Sequence, residues 1–287
     1  MNARLEHDRI HAGEHLAISF ERTLRIPDDG KRYPLPPGLG LFPIRSAAGD
    51  FVIPMYQSEA LWIAFEGAWW KPNAVKVGVG GIDALTGDAW SEELQASPQN
   101  YLVAPDQPWI DGINSGDESV RQFVAMPLGS GVTIEGQLTG EERIGGLQFV
   151  VFAPKDGRFP DEEPEPPPPG EGAFMLESLS PEMGMAAGGQ MTQKIYPDTH
   201  GIESWDASRK TSFRVRIANS EEWRALTGEE PPPSPVDAAA YTKAGLPWFA
   251  LYDERKGDVA PSAKLRGVRS VGDAATIDVQ NVKKIRH

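Results

Sequence analysis

Apolar residues recur at every second position through much of the first half of the chain. Leu16, Ile18 and Phe20 alternate with Ala17 and Ser19, Val75, Val77 and Val79 with Lys76 and Gly78, and Val132 and Ile134 with Thr133 and Glu135. Alternation sends one set of side chains to a core and the other to water, so each segment predicts a half-buried antiparallel strand. Shorter apolar runs at residues 51–55, 61–65, 122–126 and 147–152 end at Gly, Pro or Asp and predict further strands. The expected architecture for residues 1–157 is a mainly β, antiparallel sandwich or barrel. Its one helical sign is residues 91–94, where a serine cap and two carboxylates suit a single turn.

The pattern changes after a stretch of proline and acid. Residues 158–172 read RFPDEEPEPPPPGEG, in which proline fixes φ and the carboxylates repel, so a stiff, solvated linker is expected. Residues 173–287 then read as a smaller α+β unit. Phe213, Val215 and Ile217 alternate with Arg214 and Arg216, placing two guanidinium groups on the outer face of a strand. Asn219 leads into EEWRALTG, a short helix stopped by Gly228. Ser234 and Pro235 open a second helix at 236–244, and 275–285 carries a strand-like segment within a basic tail. The proline cluster at 229–235 reads as a loop inside this second unit.

Composition narrows the chemistry. The 287 residues include no Cys, which removes thiol nucleophiles, disulfides and thiolate metal sites. The formal net charge is −13, and the excess acid lies in residues 1–157 and the linker. Such a surface repels phosphate and anionic lipid, so neither nucleic acid nor membrane is an expected partner. No stretch approaches a bilayer span or a signal peptide, and the cytoplasm is the expected location. The basic tail (Lys264, Arg266, Arg269, Lys283, Lys284, Arg286) suits docking onto the acidic first unit or an acidic partner, and homo-oligomerisation is a further expectation.

Tryptophan supplies the main binding candidates. Five of the eight, Trp62, Trp69, Trp70, Trp90 and Trp109, fall within residues 62–109. Trp62 lies in an apolar run and reads as core. Trp69-Trp70, followed by Lys71-Pro72, reads as a strand end with partly exposed indoles. Exposed aromatic faces stack on sugar rings or anchor proteins, so Trp69, Trp70, Trp90 and Trp109 are candidate binding residues, with Arg214 and Arg216 available for anionic groups.

The catalytic candidates are fewer. Histidine is limited to five positions; His7, His11 and His15 fall in what reads as an extended N-terminal tail, and His287 is the last residue given. That leaves His200, with Asp198 and Glu203 beside it, as the centre of an alternative metal- or carboxylate-dependent hydrolase. Asp111, Asn114 and Asp117 in a glycine-bearing loop offer oxygens to a divalent cation, while no cofactor is required by any motif. The reading favoured by the residues is a non-catalytic binding or assembly protein that recognises a protein or carbohydrate through aromatic and loop surfaces.

Overall fold

A computed structural model describes residues 2–116, 118–165, 187–233 and 258–273. The chain passes through β1 (Arg4–Glu6), β2 (Arg9–Ala12), β3 (Leu16–Thr23), β4 (Arg32–Tyr33), β5 (Gly38–Leu41) and β6 (Arg45–Ala47). Next come β7 (Asp50–Pro54), β8 (Ala60–Gly67), β9 (Asn73–Val79), β10 (Ile82–Asp83), β11 (Leu102–Ala104) and β12 (Trp109–Ile110). The remainder holds β13 (Gly112–Asn114), β14 (Ser119–Val124), α1 (Ile134–Thr139), β15 (Leu147–Pro154), β16 (Ala187–Thr192), β17 (Trp205–Ala218), α2 (Ser220–Thr227) and α3 (Ala263–Arg266).

These strands build two open sheets. The first runs β1-β2-β3-β8-β14-β16-β4, with β5, β12 and β13 attached, and the second runs β10-β9-β15-β17-β7-β6, with β11 beside β9. Neither closes into a barrel, and both are mixed rather than purely antiparallel, because β16 pairs parallel with β4 and β17 parallel with β7. Between the sheets, Ile18, Phe20, Ile63 and Phe65 meet Val75, Val77, Phe149 and Val151 in one core. Phe20 packs edge-on against Phe149 at 5.9 Å, and Phe149 stacks on Phe213 at 4.9 Å.

The expected division into two units is not confirmed. β16 joins β14 in the first sheet, and β17 lies between β15 and β7 in the second, so strands from both sides of residues 158–172 share the same ladders. The proline cluster also reaches across. Arg45 grips Glu229 through two bonds of 2.8 and 2.9 Å, Tyr56 Oη donates to the Pro232 carbonyl at 2.9 Å, and Arg22 to that of Pro233 at 2.7 Å. Residues 258–273 are fastened in the same way: Asp258 accepts from the amides of Ile195 and Glu118, Lys264 pairs with Asp88, and Leu265 is buried.

Local departures from the periodicity have identifiable causes. Residues 132–134 begin a helix, because the Thr133 hydroxyl caps the Gly136 amide at 3.0 Å and Gly140, at φ +80°, stops the run. Residues 91–94 form no helical turn; the Glu93 carbonyl is held instead by the Lys76 ammonium at 2.9 Å and the Asn100 amide at 3.1 Å. The N-terminal histidines lie in a hairpin rather than a tail, with β1 on β2 and a tight turn at His7-Asp8, both at positive φ. α2 does match its expectation: Asn219 accepts from the Glu221 and Glu222 amides, and Trp223 is fully buried against Val52 and Ala218. β3, β9 and β15 are buried on both faces, not one. The expected helix at 236–244, the strand-like segment at 275–285 and Asp117 lie outside the described residues.

Ladders shared across residues 158–172 lead to the expectation of one cooperative unit. Thermal unfolding followed by tryptophan fluorescence and by far-ultraviolet circular dichroism is expected to give coincident single transitions. Two separated transitions would restore the two-lobed organisation. Phe149→Ala, which empties the contact between the sheets, should cost about 3–5 kcal/mol in a denaturant titration.

Candidate ligand-binding face

Alternation along β8 separates a core face from an outer face. Leu61, Ile63 and Phe65 are buried in the core, so Trp62, Ala64 and Glu66 stand on the opposite side. The register places Glu21 beside Trp62, Ser19 beside Ala64 and Ala17 beside Glu66 on β3. β12 sets Trp109 opposite Ala64, and β2 sets His11 opposite Ala17. The alanine methyl leaves room for the indole, and Trp62 and Trp109 meet edge to face with centroids 5.9 Å apart. Arg9 reaches across to clasp Glu66 at 3.1 Å through both Nε and a terminal nitrogen.

A second aromatic pair closes the other end of this face. Beyond β8 the Trp69 and Trp70 rings lie 5.9 Å apart and nearly perpendicular, and Trp70 also leans on His15. Trp69 is 51% exposed. Trp70, His15, His11, Ala17, Glu66 and Arg4 border a depression of about 550 Å³. Trp62 and Glu66 are separated by about 13 Å at ~3.3 Å per residue, so the face is an elongated strip with indoles at both ends and charged groups between.

Two carboxyl groups lie at the Trp62–Trp109 end. Burial pushes Glu21 up to about 7, partly opposed by the Ser19 hydroxyl, while Glu66 adds to the rise and Arg9 and Trp62 counter it. Burial raises Asp111 well above the ordinary carboxylate range, against the influence of Trp109 and Gln193. Glu21 Oε2, both Asp111 oxygens and the Nε1 atoms of Trp62 and Trp109 are all buried, each indole beside the carboxyl whose pKa it holds down, Trp62 by Glu21 and Trp109 by Asp111.

The other candidates fall elsewhere. Trp90 is on the outer side of the second sheet, lying over Gly78 and 5.3 Å from the Lys76 ammonium, so it does not share a face with Trp109. Arg214 donates to the Ile144 carbonyl and Arg216 pairs with Glu222. Asp198 accepts from Tyr101 Oη at 2.7 Å, Trp205 Nε1 at 2.9 Å and the amides of His200 and Gly201. Beside it His200 is 3.4 Å from Asp106 and wedged against Phe159 and Trp205, and Glu203 pairs with Arg158. Asn114 is taken up by Gly116 and the Leu85 and Ala260 carbonyls, away from the Trp109 side chain that acts on Asp111. Among the described residues no group of three or more His, Asp or Glu is placed to hold a metal ion.

Trp62, Glu21, Arg9, Glu66, His11 and His15 join the site although none was singled out for binding. For Trp62 the signal was present: it is out of phase with Leu61, Ile63 and Phe65. No protein-family model, curated protein or solved structure matches the chain.

Glu21 gives a pH dependence of known sign. Its carboxyl titrates near 4.5 when unfolded and near 7 when folded, so between those values only the native state holds the proton. That stabilisation is complete below 4.5 and lost as pH rises through 7. At ~1.36 kcal/mol per pH unit it amounts to at most about 3 kcal/mol. Urea titrations at pH 5 and pH 8 should show a loss of which Glu21→Gln removes a part, because burial pushes Glu59 up to about 7 as well; a loss unchanged in the variant would place the titration elsewhere.

Proposed function

We propose that this protein is a non-catalytic binding protein that recognises a carbohydrate chain along the outer face of its first sheet. The observation that carries the reading is the placement of the Trp62–Trp109 pair and the Trp69–Trp70 pair at the two ends of one strip. Indole faces match the C–H faces of sugar rings, and they supply large contact area with little conformational freedom to lose. Between them, the Arg9–Glu66 pair and His11 offer donors and acceptors to hydroxyls.

A neutral chain fits better than a polyanion, since the formal charge of −13 disfavours phosphate or sulfate backbones. No helix among the described residues is long and apolar enough to cross a membrane. The hydrolase alternative gains less support, because Asp198 is committed to four internal donors.

Isothermal titration with neutral cello-, xylo- and manno-oligosaccharides is the direct test. One series should bind. Trp62→Ala or Trp109→Ala should then weaken binding at least tenfold, as loss of an anchoring aromatic does. Replacing Trp69 and Trp70 together by Ala should also reduce binding while leaving thermal unfolding nearly unchanged. No heat with any series, or a large loss of stability in the Trp69/Trp70 variant, would overturn the reading.

A further inference from the structure

The opposite end of the sandwich holds a second depression, of about 390 Å³, within the size range of small-molecule sites. It opens where β9, β14 and β17 end and β15 begins, and its apolar lining includes Met55, Ala125, Met126, Ile134 and Ile217. The polar side chains around it are already engaged. Glu135 accepts from the amides of Arg143, Ile144 and Gly145 at 2.8–2.9 Å, Thr133 both caps α1 and donates to Glu142, Asn219 caps α2, and Glu222 pairs with Arg216. Gln57 stands exposed at the rim.

A second observation points the same way. Among the described residues, the large apolar side chains most exposed to water besides Trp69 are Leu128 at 52%, Ile144 at 48% and Leu226 at 38%. Leu128 is part of the wall of this opening and lies over Gly145. Ile144 lies over Gly81, next in the chain to the lining residue Gly80, and Leu226 is one helical turn beyond the lining residue Glu222. Apolar groups gathered on a rim mark a binding site more often than scattered ones do.

We propose that this cavity is a second binding site, distinct from the tryptophan strip, and that it takes a neutral alkyl chain of medium length. Its engaged polar groups leave little to recognise a polar ligand, while methionine side chains adapt to a flexible chain. The Glu135 and Glu222 carboxylates in the wall disfavour an anionic head group, so the free carboxylate of a fatty acid is selected against.

The test uses the neutral dye N-phenyl-1-naphthylamine with the full chain. Its fluorescence should rise on binding, 1-octanol should displace it, and octanoate at pH 8 should compete at least tenfold less well. The exposed-site change Leu128→Glu should weaken dye binding at least tenfold without shifting thermal unfolding, and Met126→Glu, in the wall, should weaken it at least as much. Joint replacement of Trp69 and Trp70 by Ala should leave it unchanged. Dye binding that survives both glutamate variants, that is lost with the two tryptophans, or that octanoate and octanol oppose equally would overturn the proposal.

Discussion

The backbone of β15 cannot be buried until both of its edges are paired. All eight of its residues are inaccessible, and a buried amide or carbonyl without a partner costs as much as a lost hydrogen bond. β9 supplies one edge, from Leu147 opposite Val79 to Phe152 opposite Ala74, and β17 supplies the other, from Leu147 opposite Val215 to Phe152 opposite Lys210. That double pairing draws residues from both sides of the acidic proline stretch into one sheet. It also fixes where the two depressions lie, because one opens beyond the start of β9 and the other at its end.

Full burial of the central strands leaves few places for aromatic side chains to remain in contact with water. On the second sheet Tyr101, Phe152 and Trp205 pack together with partly buried Trp90 and Phe159, so its outer face is covered. On the first sheet the outer residues of β3 and β8 alternate between small and large, Ser19 and Ala64 against Glu21 and Trp62. The result is a face on which half-buried indoles lie beside buried carboxyls. A protonated carboxyl donates and an ionised one accepts, so the hydrogen-bonding character of Glu21 changes near neutral pH.

The β content was legible because period-two alternation is a direct consequence of strand geometry, which marks β3 and β9, while bounded apolar runs mark β7, β8, β14 and β15. α2 was legible from its cap and its glycine stop. What misled was local evidence read in isolation. The Thr133 cap overrode the alternation of Val132 and Ile134. Lys76, polar in the pattern, is fully buried beneath Trp90, where burial lowers its pKa against the pull of Asp83. Trp62 was read as core from the apolarity of its neighbours, and it packs half-buried against the core, although its phase along β8 sets it on the outer side. The partnership of β17 with β7 was not legible at all, since Val215 and Phe51 are joined by backbone atoms that carry no residue-specific signal.

The parallel register between β7 and β17 sets an order of events on the ribosome. Phe51 to Pro54 are synthesised long before Val215 to Ala218, their partners, so β7 must wait with one edge open while most of the chain is made. β15 waits likewise for β17. Contacts so distant in sequence are slow to form, so the sheet is completed only after its last central strand has been made.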